Sequence, residues 1–384
     1  MAVLNEEQTM LRDMAAEWVQ DRTPIGVART LYDATGGGRS GDGIGFDPGL
    51  YAEMAAMGWT GIVVPQQFGG SDFGYLGLGL VIEELGRTLA PSPLLSSALV
   101  AASALRLGGT AGQQERWLPG IADGSLIGTL ALEEASHHAP EATALAATRS
   151  GDDWRLEGIK RPVQDGMGAG LFIVAARTSG AAGERNGLTL FLVEADAPGF
   201  AREQLDQIDA RRPALLRFDG VTVADDAMLG TIDGGWPLLD AILDRARVGI
   251  AAEMLGLATQ AFETTLDYLK TRVQFGQVIG SFQALQHRAA EMFGELQLTR
   301  SAVEAALAAV DADAPDLPAF ASLAKANAGE TAQLIAAQMI QLHGGIGMTH
   351  EHDAGLYYKR ALVAAQCYGS SAYHRERWGR LNGY

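Results

Sequence analysis

Residues 248–276 read VGIAAEMLGLATQAFETTLDYLKTRVQFG. Within this stretch Val248, Ala252, Leu255, Thr259, Phe262, Leu266, Leu269 and Val273 recur in alternating steps of four and three. Side chains three and four apart share one helix face, so the spacing predicts a long helix with a bundle-type seam. The helical pattern continues over 282–310 and 319–342, and a turn at Asp311 to Pro318 separates these two stretches. Residues 231–384 therefore read as a C-terminal four-helix bundle.

Upstream the period changes. Trp154-Arg155-Leu156-Glu157 alternates, Leu171 to Val174 and Leu188 to Val193 are short apolar runs near glycines, and Leu215 to Val223 is a further strand candidate. Strands that follow one another without intervening helices predict an antiparallel β domain over 126–230 and argue against a Rossmann sheet. Still further upstream, Met10, Leu11, Met14 and Trp18 lie at helical spacing within 5–22. Helical patterns recur at 47–57 and across 76–122, broken at Pro91 and Pro93. The expected fold class is α+β: an N-terminal helical domain (1–125), a central antiparallel β domain (126–230) and the C-terminal bundle (231–384).

Composition removes several function classes. Of 384 residues 47% are hydrophobic and 20% charged, ordinary for a globular chain. The net charge of -17 repels polyanions, which argues against nucleic-acid binding. No apolar run is long enough to cross a bilayer and no basic-then-apolar leader opens the sequence, so a soluble cytoplasmic protein is expected. Cys367 is the only cysteine; no intrachain disulfide can form, and the residue reads as a small buried hydrophobe.

Two motifs attract attention and lack their context. Gly36-Gly37-Gly38-Arg39-Ser40-Gly41 matches G-x-G-x-x-G, but a dinucleotide fingerprint follows a strand and opens a helix. Here a helical segment precedes it and more glycines follow, so a loop is expected. His343, His350, Glu351, His352 and Asp353 are a dense set of potential ligands whose spacing fits no common zinc signature, and no metal site is expected. Thr349 reads instead as a helix N-cap, with Glu351 and Asp353 in the first turn. No G-x-S-x-G or P-loop is present.

Arg272-Val273-Gln274-Phe275-Gly276, continuing to Phe282-Gln283-Ala284-Leu285-Gln286-His287, and Gln341-Leu342-His343-Gly344-Gly345-Ile346-Gly347 carry a specific resemblance. With the order helical domain, β domain, bundle over essentially the whole chain, they resemble the acyl-CoA dehydrogenase family. The resemblance implies FAD and the α,β-desaturation of an acyl-CoA thioester. In that family a carboxylate removes the α-proton, the β-hydrogen leaves as hydride to flavin, and hydrogen bonds stabilise enolate character at the thioester carbonyl. Both motifs act there across a subunit interface. Carried over, Arg272 pairs with the FAD pyrophosphate, Phe275 packs beside the cofactor, and Gln341, Gly344 and Gly345 approach its ADP part, all in a neighbouring subunit. An electron-transfer flavoprotein is the implied electron acceptor. A CoA ester is anionic, so it needs a local basic site against the global charge.

Other positions depart from the family. Its catalytic glutamate stands in an E-G-[TS] triplet, which here reads Tyr368-Gly369-Ser370. Tyrosine titrates near 10, too high for a ready base at neutrality. Some members carry the base just before an arginine of the first bundle helix; the match is Arg247, a candidate substrate contact, preceded by Ala246. Asp244 is nearby but two positions off that register. The flavin-facing T-E-P-x-A-G-S-D stretch reads Glu133-Glu134-Ala135-Ser136-His137-His138-Ala139-Pro140, and K-x-W-I-[TS]-N reads Lys160-Arg161-Pro162-Val163-Gln164-Asp165. The missing positions serve a subunit's own site, and the retained ones serve its neighbour's FAD. The resemblance is thus to the partner subunit of a heteromeric α2β2 enzyme, acting on steroid side-chain or dicarboxylic acyl-CoAs. The alternatives are a homotetramer whose base is Asp244 or Glu134, and a non-catalytic structural member.

Overall fold

Helix α1 (Glu6–Arg22) begins where Asn5 and Gln8 cap each other: the Gln8 amide donates to Asn5 Oδ1 at 2.8 Å and the Asn5 amide to Gln8 Oε1 at 3.0 Å. This computed structural model describes residues 4–37 and 43–384; positions 38–41 of the glycine-rich segment lie outside the described residues. Helices α2 (Ile25–Ala34), α3 (Pro48–Ala56), α4 (Tyr75–Arg87), α5 (Ala102–Gly108) and α6 (Ala111–Ala122) follow, and a buried π-helical stretch, Leu95–Ala101, leads into α5. Thr110 and Gln113 repeat the reciprocal cap at the start of α6.

The strands are β1 (Gly128–Ala131), β2 (Ala146–Ser150), β3 (Asp153–Val163), β4 (Leu171–Arg177), β5 (Leu188–Glu194), β6 (Phe200–Gln204), β7 (Ala214–Ala224) and β8 (Met228–Leu229). Their order is β6-β7-β3-β2-β4-β5-β8, with β1 beside β4. The sheet is antiparallel apart from two parallel pairings, β1 with β4 and β2 with β4. The expectation of a purely antiparallel sheet needs that amendment. Parallel neighbours require a crossover, and strand periodicity carries no signal for where a crossover lands. Every residue of β4 is buried, which is why it reads as an unbroken apolar run. Trp154, Phe172, Phe191 and Phe218 fill the core of this sheet.

Helix α7 (Gly235–Thr271) is followed by a short hairpin of β9 (Val273–Gln274) and β10 (Gln277–Val278). Helices α8 (Gln283–Asp311), α9 (Leu317–His343), α10 (Ala354–Gln366) and α11 (Ser371–Leu381) complete the chain. The expected C-terminal bundle is thus three long helices and two short ones. The seam read from 248 to 273 is amended in two ways. Val273 lies outside the helix, in β9, and is 52% exposed. Moreover α7 is buried on every face from Ile242 to Thr259, so a one-sided stripe understates it.

The chain divides into two compact units. One contains 34–78 and 91–246, including the sheet; the other contains the residues up to Asp33, Gly79–Ala90 and Arg247–Tyr384. Within the second unit α4 and α7 approach through two glycines. A Cβ on Gly256 would lie 1.8 Å from the Glu83 carbonyl oxygen, and one on Gly86 would lie 2.2 Å from the Glu253 carbonyl oxygen. The carboxylates of the same two glutamates are neutralised in the interior: Arg360 holds Glu253 at 2.7 and 3.0 Å, and Arg300 holds Glu83 at 2.8 Å. Among the described residues no helix is long and apolar enough to cross a membrane.

Candidate functional site

Both motifs singled out in the sequence lie in the second unit, each where a helix ends. Helix α7 stops at Thr271, and Arg272 begins the hairpin, exposed, its amide still bonded to the Tyr268 carbonyl at 2.9 Å. The two hairpin strands pair Val273 with Val278 and Gln274 with Gln277. Phe275 and Gly276 turn the corner with φ of 53° and 78°. Two successive positive φ values define a type I′ turn, whose twist matches that of paired strands. Glycine suits the second position; phenylalanine at the first is costly. That conformation thrusts the Phe275 ring outward, 92% exposed, with Phe282 edge-on at 6.1 Å.

The second motif closes α9. Gln341 is exposed, and Gly344 ends the helix with φ 66° and ψ -139°, backbone that only glycine adopts comfortably. Gly347 is fixed by packing, since a Cβ there would lie 2.6 Å from the Ile340 carbonyl oxygen. Gly345 has neither reason: it lacks a positive φ, and a Cβ would meet nothing within 4 Å. The two motifs are joined through His343 and a residue the sequence reading missed, Tyr268. The Tyr268 ring stacks on His343 at 4.4 Å, bringing the ends of α7 and α9 together. Tyr268 stands four residues before Arg272, one helical turn, which is the signal that could have found it.

Family models for the N-terminal, middle and C-terminal domains of acyl-CoA dehydrogenases match residues 5–125, 133–221 and 233–381. The chain belongs to the acyl-CoA dehydrogenase family. It is 34% identical over 321 residues to the short/branched chain specific acyl-CoA dehydrogenase of Rattus norvegicus, covering 82% of this chain and 74% of that protein. A chain of the "Tcur3481-Tcur3483 steroid ACAD", solved as a variant, is 33% identical and superposes with a TM-score of 0.87 over 98% of each chain. A chain from "Electron transferring flavoprotein of Acidaminococcus fermentans: Towards a mechanism of flavin-based electron bifurcation" is 28% identical, with a TM-score of 0.90 over 100% of this chain and 99% of that one. Like other acyl-CoA dehydrogenases, this protein is an FAD-dependent oxidoreductase acting on acyl-CoA. FAD supplies the hydride acceptor when bound. The residues present fit that cofactor: an exposed arginine, an exposed aromatic ring, and a glycine whose missing Cβ nothing in its own fold requires.

The positions that would serve this dehydrogenase's own chemistry look different. Tyr368 sits half-buried in the turn between α10 and α11 at φ 57°, and its carbonyl contacts His374 Nε2 at 3.0 Å. The turn is held from below by Lys325 of α9, wholly buried, whose Nζ donates to the carbonyls of Ala365 at 3.0 Å and Gly369 at 2.9 Å. Burial pushes the Lys325 amine down to about 7, Arg247 pushes the same way, and Cys367 opposes. No sequence motif marks this lysine. Ala246 is fully buried, as is Arg247, whose guanidinium lies 5.9 Å from the Tyr373 ring. Asp244 is 2% exposed. Glu134 is a structural hub: it holds Lys160 at 2.6 Å and accepts from the amides of Ala144 and Leu145 at 2.8 and 2.9 Å. Glu133 engages His138 at 2.5 Å.

The histidine-rich segment is not arranged as the sequence suggested. Thr349 is not an N-cap: it ends the 344–348 turn, its hydroxyl donates back to the Ile346 carbonyl at 2.7 Å, and α10 begins after Asp353. The residues from 344 to 348 form a 3₁₀ turn, so the chain has not yet turned into a helix at Thr349. Asp353 instead holds Arg29 of α2, and His350 meets Asp33 at 2.9 Å. Among the described residues no group of three or more His, Cys, Asp or Glu side chains is placed to hold a metal ion. Cys367 is half-buried, not buried, because it lies in the turn after α10.

Proposed function

We propose that this chain is the partner subunit of a heteromeric acyl-CoA dehydrogenase, completing a catalytic subunit's FAD site while lacking a working base of its own. One contrast carries the reading. Arg272, Phe275, Gln341, Gly344 and Gly345 stand solvent-facing at the ends of α7 and α9, whereas Tyr368 and Ala246 occupy the base positions. In the assembled enzyme Arg272 offers the pyrophosphate a planar, always-charged donor. Phe275 covers the cofactor, and Gln341 with the two glycines lines its ADP part. Arg247, wholly buried, is assigned at most an indirect part in holding substrate. The homotetramer alternative is weakened at Glu134, whose carboxylate is committed to three donors.

The acyl group in this reading is a bulky one, a steroid side chain. The similar solved structure whose description names a pair of proteins and a steroid ACAD supports both that choice and the two-chain assembly. A dicarboxylic acyl group is the second choice. Electrons pass to an electron-transfer flavoprotein, and the chain works in the cytoplasm; the domain limits 1–125, 126–230 and 231–384 are kept. The test is flavin content. Purified alone, the chain is expected to carry little FAD; co-purified with a homologous chain that retains the glutamate and flavin motifs, it should carry about one FAD per pair, and Arg272→Ala should lower that occupancy at least about tenfold. Tight, full FAD and turnover in the lone chain would overturn the proposal.

A further inference from the structure

The segment from His343 to His352 leaves the end of α9, makes the glycine turn and returns to the start of α10. Its two end residues face each other: the imidazoles of His343 and His352 lie 4.3 Å apart, closing the loop at its neck. His343 is 4% exposed, stacked on Tyr268, and its Nδ1 lies 2.7 Å from the Met339 carbonyl oxygen. A carbonyl only accepts, so His343 carries its proton on Nδ1. His352 has the opposite tautomer: its Nδ1 accepts from the Ala354 amide at 3.1 Å, so its proton is on Nε2. Each ring thereby has a defined orientation; the acceptor role of His352 Nδ1 requires that ring to be neutral, and burial favours the neutral form of His343.

We propose that His343 and His352 are positioning residues for the Gly344–Met348 turn, and that they hold it in its cofactor-receiving shape only while both imidazoles are neutral. This rests on the assignment of that turn to the neighbouring subunit's FAD. Protonating His352 at Nδ1 removes the acceptor of the Ala354 N–H and puts a cation at the N-terminus of α10, where the helix field opposes it. Protonating His343 at Nε2 brings positive charge into the same neck.

Of the charged groups around the neck, Asp353 favours a protonated His352, and burial outweighs it. From α2, Arg29 is bonded to Asp353 and to the His350 carbonyl, taking up the nearest carboxylate, and Asp33 is engaged with His350. From α7 comes Tyr268, and from α10 Lys359, which donates to Tyr32. Burial pushes both imidazoles below the ordinary histidine value; the bond to the Met339 carbonyl opposes the shift of His343 and Asp353 opposes that of His352, while His352 and Arg29, respectively, add smaller contributions in the direction of burial. For a histidine lowered in the folded state, the stabilisation is complete above the ordinary value and is lost as pH falls toward the lowered one.

The experiment measures FAD retained by the co-purified pair after desalting, from pH 7.5 to 5. The wild-type pair should weaken its hold on FAD by about tenfold per pH unit for each coupled proton once the pH falls below the ordinary histidine value. His352→Gln supplies a non-titrating acceptor for the Ala354 amide. It should retain FAD at pH 7.5 and shift the acid loss to lower pH; His343→Gln, donating to the Met339 carbonyl, should do the same. An acid profile identical in wild type and both variants overturns the proposal. Histidine NMR titration of the chain alone guards against misfolding of a variant and against failure of the FAD assignment. Two imidazoles titrating clearly below the ordinary value are expected, and ordinary titration of both overturns the neck as described. Full FAD in Arg272→Ala at pH 7.5 would count against the FAD assignment only.

Discussion

Three glycines within four residues illustrate how differently one residue type can be required. Gly344 is needed for its backbone angles, Gly347 for the carbonyl pressed against it, and Gly345 for nothing inside its own fold. A requirement that the chain does not itself impose points outward, toward whatever approaches the turn. Gly345→Ala should therefore leave the thermal midpoint of the lone chain within the range of a neutral surface change, about 0.5 kcal/mol, while reducing FAD affinity of the pair. Calorimetry and flavin titration check the two halves; a large loss of stability in the lone chain would return Gly345 to an ordinary structural role. The motif Gln341 to Gly347 was visible in the sequence, but the three reasons were not. They depend on φ, on a through-space carbonyl and on empty space, none of which a one-dimensional pattern records.

At the scale of elements, legibility followed exposure. Helix α1 and strand β3 lie close to their expected places because one face of each meets water, whereas β4 and β5, buried apart from Glu194, were legible as unbroken apolar runs. Helix α7 loses that signal where it is buried on every side, and the β1–β4 pairing had none to lose. The hairpin after α7 was legible as a motif and not as a turn, since Phe275 is a poor match for the left-handed position it fills. The turn between α10 and α11 supplies a pH prediction. The unfolded Lys325 keeps its proton up to about 10.5, whereas the folded amine, desolvated, releases it near 7. The unfolded state thus binds more protons between those values, and stability rises with pH through that window. Lys325→Met removes the titrating group together with its two bonds to Ala365 and Gly369. The stability advantage of wild type over the variant should widen from pH 7 to 10 in paired denaturation curves; a constant gap would show that the amine keeps its ordinary affinity for protons.

Considered as a whole, the chain carries a net charge of -17, and the proposed contact of Arg272 with an anionic cofactor is a local exception to that field. If the cofactor is completed only between two chains, its stabilising effect must appear only in the pair. Saturating FAD should leave the melting temperature of the lone chain unchanged, while raising that of the pair by an amount corresponding to about 2.7 kcal/mol at a hundredfold excess over Kd. An equal shift in the lone chain would make the site self-contained. The sequence by itself determined the family, the succession of helical, strand and helical regions, which residues match the family's cofactor motifs, and that Tyr368 and Ala246 match the positions where the family carries its base. Each of these rests on residue identity at a spacing. Only the tertiary structure decided that His343 and His352 close one neck, that Lys325 underpins the Tyr368 turn, and that Glu134 is a hub. Those facts join residues through space, and burial sets their charge; the chain order that separates them along the sequence holds no trace of either.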